Sequence, residues 1–103
     1  MQYGLHRDVV VGVNKVFMQY EQVKEVILYG SRAKGTFKPG SDIDLSLKGD
    51  DLNLKLLNKI GLELDELLLP YTFDISIYSH IKNKDLLDHI ERVGLVFYKK
   101  NHG

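Results

Sequence analysis

Two carboxylates at period-two spacing inside an apolar run, Asp42 and Asp44 between Ile43 and Leu45, constrain this chain more than any other feature. In a strand, residues two apart share a face about 6.6 Å apart along the axis. Asp42 and Asp44 then aim at one spot, and Ile43, Leu45 and Leu47 aim at the opposite face. Ten residues lie between Asp42 and the Gly30-Ser31 pair, which follows another apolar run, Val26-Ile27-Leu28-Tyr29. A small-residue turn therefore ends one strand, and a pair of acids sits on the next.

Two carboxylates held together repel unless a proton or cation lies between them. Oxygen ligands with no His or Cys beside them select Mg²⁺ or Mn²⁺ over Zn²⁺. Gly30 allows close backbone approach to a ligand. The amides after it and the Ser31 hydroxyl suit an anion, all the more if a helical turn starts there. Arg32, Lys34 and Lys38 add positive charge. Phosphate-binding amides beside a dicarboxylate metal site describe a nucleoside triphosphate site. Arg32 and Lys34 are read as facing phosphate or acceptor, with solvated charge as the alternative.

The rest of the chain narrows the chemistry. Its 14 basic and 14 acidic residues balance, which argues against binding nucleic acid by bulk charge. There is no cysteine, so disulfides, zinc thiolates and cysteine nucleophiles are excluded. His6, His80, His89 and His102 are scattered, and none pairs with another at ligand spacing, so zinc is not expected; His80, after the Asp74 strand, is read as a surface histidine, with the cleft rim as the alternative. No apolar run reaches membrane-spanning length and no signal-peptide pattern opens the chain, so a cytoplasmic protein with no membrane association is expected.

Periodicity predicts the elements. An apolar stripe of Val9, Val10, Val13, Val16, Phe17 and Tyr20 predicts a first helix within Met1 to Tyr20, with Gly12 weakening it or marking a close approach. Val23 to Tyr29 reads as a strand, and about Asp42 to Leu47 as another. Asp50 or Asp51 is expected to cap a helix with Leu54, Leu57, Gly61, Leu64 and Leu68 on one face, widened by Leu56, Ile60 and Leu67, and stopped by Pro70. The surplus leucines Leu52, Leu62 and Leu69 suggest a partner interface. Tyr71 to Tyr78 alternates as a strand. Asn83 caps a last helix that ends at Gly94, with Leu86, Leu87, Ile90 and Val93 inward. Leu95 to Tyr98 is a strand or a helical turn, and Lys99 to Gly103 is expected to be loose.

Leu28-Tyr29-Gly30-Ser31-Arg32-Ala33-Lys34-Gly35 with Ser41-Asp42-Ile43-Asp44-Leu45 resembles the signature of the DNA polymerase β-like nucleotidyltransferases. It is most similar to their small prokaryotic branch, the minimal nucleotidyltransferases, antitoxin partners of HEPN-domain toxins. The resemblance runs from Gly4-Leu5 to about Tyr98. It implies an α/β (α+β) fold, a small mixed β-sheet flanked by helices, in one domain over residues 1–103. It also implies nucleotide binding at Gly30, Ser31, Arg32, Lys34 and Ser41, with ATP as donor. Asp74 would complete a catalytic and metal-binding triad with Asp42 and Asp44, holding two Mg²⁺ ions or Mn²⁺. An Asp within a half-buried strand costs free energy unless it is paired or ligating, although a solvated strand face is the alternative. The implied acceptor is a tyrosine of a HEPN-domain protein encoded next door. The chain is short for an acceptor pocket, so a partner or a second copy, as a homodimer, is expected to complete it. Two rival readings are a contact-only antitoxin and nucleotidyl transfer to a small molecule.

Overall fold

The computed structural model describes residues 1–100 as four helices and a four-stranded sheet, so the expected mixed α+β fold is the observed one. Chain order is α1 (Arg7–Met18), β1 (Val23–Tyr29), α2 (Ser31–Lys34), β2 (Ile43–Gly49), α3 (Leu54–Asp65), β3 (Phe73–Ile77), a 3₁₀ turn (Tyr78–His80), α4 (Lys84–Val93) and β4 (Leu95–Lys99). The sheet order is β3-β2-β1-β4. β1 pairs antiparallel with both β2 and β4, and β2 pairs parallel with β3. None of the described helices is long and apolar enough to cross a membrane.

The period-two pattern divides the sheet into two faces. Val26 and Leu28 of β1, and Ile43, Leu45 and Leu47 of β2, enter the main core with Val13, Val16 and Phe17 of α1 and Ile60 and Leu64 of α3. On the other face Ile27 and Tyr29 pack against Ile90 of α4. α4 therefore covers β1 from one side, and the same face of β2 and β3 carries Asp44, Ser46, Asp74 and Ser76.

Several local expectations are corrected. The α3 cap is Asn53, whose side chain accepts from the Leu56 amide, rather than Asp50 or Asp51. α3 stops at Asp65, well before Pro70, and Leu68 has a left-handed φ of 55°. Its inward face is centred on Ile60 and Leu64, and Leu54 and Leu68 are exposed, at 64% and 89%. Leu52 and Leu69 pack on the core, so of the surplus leucines only Leu62 is exposed. Gly12 has open space where a Cβ would stand, so it marks no close approach. Gly94 does end α4, with φ −62°, and it is required because a Cβ would overlap Ile90 O and the Ile27 side chain. Leu95 to Lys99 is a strand, and the Lys100 amide donates to Lys24 O at 2.9 Å. Of the tail expected to be loose, Lys99 and Lys100 are thus tied to the sheet, and 101–103 lie outside the described residues, His102 with them.

Candidate active site

Strand pairing brings the acids together. Asp44 and Asp74 are register partners on the parallel pair β2–β3, so their side chains leave one face of neighbouring strands about 4.8 Å apart. Asp42 lies just before β2, exposed, two residues from Asp44. Beneath the acids, buried Ser46 accepts a hydrogen bond from Ser76 Oγ at 3.2 Å. The Asp44 carboxyl is pushed above its usual range, first by burial, then by the charges of Asp74 and Asp42. Tyr29, buried beside them, is likewise raised by burial and by Asp74 and Asp44, against a lowering by Ser76.

A site that raises a carboxyl in this way favours added positive charge, and its donors are all hard oxygens, which fits a divalent cation such as Mg²⁺. As they stand, no three His, Cys, Asp or Glu side chains among the described residues are drawn together closely enough to hold a metal ion. Mutual repulsion favours carboxylates standing apart.

Gly30 joins β1 to α2 at φ 75° and ψ −155°, a region open to glycine alone. A Cβ there would overlap Asp44 Oδ2, so this glycine turn lies directly against the acid pair. Ser31 opens α2, a single turn closed by Lys34 N–H to Gly30 O at 3.1 Å. Lys34 is exposed.

Arg32 does something other than face phosphate. It is only 2% exposed, and its guanidinium donates to Tyr3 O at 2.9 Å, Ser41 O at 2.9 Å and, more weakly, Pro39 O at 3.5 Å. It lies over the rings of Phe37 and Tyr71, 5.2 and 5.0 Å from their centroids. Carbonyl dipoles and ring faces replace the water it has lost. Arg32 thereby closes the loop that delivers Asp42. Ser41 belongs to the same loop: its Oγ accepts from the Lys38 amide at 2.8 Å and its carbonyl from Arg32. The sequence pattern does not distinguish an arginine turned inward from one turned to a ligand. Arg32→Ala is expected to cost about 3 kcal/mol, since charged hydrogen bonds are worth roughly 1.5–3 kcal/mol each. Thermal unfolding should show a fall of about 15 °C. Arg32→Lys should lose most of that too, because one ammonium cannot reproduce the planar fork.

His89 is a residue to which sequence reasoning gave no role. Its Nε2 accepts from the Gly30 amide at 3.1 Å, and its ring stands edge-on to Tyr29 at 6.1 Å. A signal existed: His89 falls three residues after Leu86 and four before Val93, on the inward face of α4. Asp74 also helps wall a groove between α3 and β3, with Leu57, Asn58, Leu62 and Asp65.

Residues 12–103 match the model of the family described as polymerase β, nucleotidyltransferase. No curated protein matches the chain in sequence. Among solved structures, a toxin–antitoxin complex with AMP-PNP superposes with a TM-score of 0.71 at 18% identity, over 94% of this chain and 76% of that one. The complex of a tri-AMPylated Shewanella oneidensis HEPN toxin with its MNT antitoxin gives 0.62 at 15%, over 89% and 73%. A putative nucleotidyltransferase from Sulfolobus solfataricus gives 0.51 at 18%, over 91% and 79%. At these identities the likeness is one of fold.

Proposed function

The chain belongs to the polymerase β nucleotidyltransferase family, and from that premise we propose that it transfers AMP from ATP to a tyrosine hydroxyl of a HEPN-domain toxin, acting in the cytoplasm as its antitoxin. The observation that carries this reading is the register match of Asp44 with Asp74, on the face where the Gly30 turn meets Asp44. The choice of AMP and of a HEPN acceptor is supported by similarity to an AMP-PNP complex and to an AMPylated HEPN toxin bound to its antitoxin.

In this reading the Gly30-Ser31 turn and the exposed Lys34 hold the β- and γ-phosphates, and Arg32 and Ser41 keep the loop shaped around them. Asp42, Asp44 and Asp74 would hold Mg²⁺, which supplies charge neutralisation at the phosphates and a more acidic acceptor hydroxyl. The hydroxyl oxygen bonds to the α-phosphorus, the bond from that phosphorus to the bridging oxygen breaks, and pyrophosphate leaves with that electron pair. The hydroxyl proton passes to solvent. The chain contributes position and charge, and no covalent enzyme intermediate is needed.

The test is to incubate the protein with Mg²⁺, each nucleoside triphosphate in turn and the product of the adjacent gene, and then to weigh both chains. Added AMP units on the partner, mapped to tyrosine, are the expected result. Neutralisation of the partner with no gain in mass would instead establish silencing by contact. A labelled small acceptor in the absence of any partner would establish the third reading.

A further inference from the structure

We propose that His89 is a positioning residue for the nucleotide: from α4 it holds the Gly30 amide and so fixes the glycine turn against Asp44. The role rests on the nucleotide reading above, in which that turn meets the triphosphate. The β1–β2 ladder ends at Tyr29 opposite Asp44, so the Gly30 amide lies one residue beyond the last strand pair. α2 begins at Ser31, and the first amides of a helix have no partner within it. Glycine at positive φ is also the most permissive of residues, and while its carbonyl closes the α2 turn by accepting from the Lys34 amide, no local group among the described residues holds its own amide. The restraint comes from 59 residues away, as the 3.1 Å hydrogen bond to His89 Nε2. An accepting Nε2 carries a lone pair, so the ring proton sits on Nδ1.

The ring itself is well held. Its neighbour Ile90 is 4% exposed and packs on Ile27 and Tyr29. The Asn83 side chain caps α4 by accepting from the Asp85 and Leu86 amides, and the Tyr78 hydroxyl bonds to Glu91. α4 is thus a fixed arm over β1, and it grips the turn through the hydrogen bond from the Gly30 amide to His89. Any drift of Gly30 would open or close the space that the Asp44 carboxylate occupies.

His89→Leu keeps the apolar face of α4 and removes the acceptor, and His89→Gln keeps an acceptor of similar reach. Two measurements decide the matter. In ¹⁵N-labelled protein, the Gly30 amide should exchange with solvent at least about tenfold faster in the Leu variant and near the wild-type rate in the Gln variant. By calorimetry, Mg·ATP should bind the Leu variant about tenfold more weakly and the Gln variant nearly as well as wild type, and AMP, lacking the outer phosphates, should bind all three alike. Unchanged ATP affinity in the Leu variant, with wild type binding normally, overturns the role of His89 alone. So does unchanged Gly30 exchange. Failure of wild type to bind ATP at all overturns the proposed function, and the nucleotide role of His89 falls with it.

Discussion

Replacing Asp44 by asparagine is expected to abolish nucleotide transfer and, at neutral pH without divalent cations, to raise the melting temperature. The two effects have one cause. Asp44 is flanked by Asp74 and Asp42 and partly buried, so its carboxyl sits above the ordinary range. The folded state therefore binds that proton more tightly than the unfolded chain does. Between the unfolded and folded pKa values, stability falls as pH rises, and above both the full penalty remains. Asparagine has the same shape and no charge, so it removes the penalty. The stability gap between variant and wild type should close as pH is lowered below about 4, where the unfolded carboxyl is protonated too. Mg²⁺ should narrow the gap at neutral pH by stabilising wild type, by about 2.7 kcal/mol at a hundredfold excess over its dissociation constant. The loss of activity should reach roughly a thousandfold or more, since charge stabilisation at transferring phosphates is worth several kcal/mol. Thermal melts across pH with and without Mg²⁺, beside a transfer assay, check both halves. An active variant, or one less stable at pH 7, would contradict this account of the acids.

Gly30→Ala is expected to damage the site more than the fold. Alanine at φ 75° and ψ −155° costs about 1–3 kcal/mol in backbone strain. Its Cβ would meet Asp44 Oδ2, the far end of a side chain that can rotate. The overlap is therefore relieved by swinging the carboxylate away from Asp74, and the fold survives at the expense of the site. We expect a Tm lowered by roughly 5–20 °C and transfer reduced at least a hundredfold. Gly12→Ala is the control. It sits in α1 with nothing within 4 Å of the added methyl, and should stabilise the helix by about 0.5–1 kcal/mol. Melts of both variants together with the transfer assay separate strain from site geometry.

What the amino-acid order determined by itself was direction and period. Alternation assigned Ile43, Leu45 and Leu47 to one face of β2 and Asp44 to the other, because successive strand side chains must point to opposite sides. Val23–Tyr29 and the Asn83 cap could be read for the same kind of reason: each depends on neighbours a few residues away. The tertiary structure decided what stands across from what. Asp74 was recognisable as an acid in a strand, but only parallel pairing of β2 with β3 sets it beside Asp44. Arg32 looked like a phosphate ligand until Tyr3, Ser41 and two aromatic rings enclosed it. His89 looked incidental until α4 crossed β1 and brought it to Gly30. A hydrogen bond acts over about 3 Å of space regardless of how many residues separate its partners. Local pattern therefore announces which groups are available, and the packing of the layers chooses which of them meet.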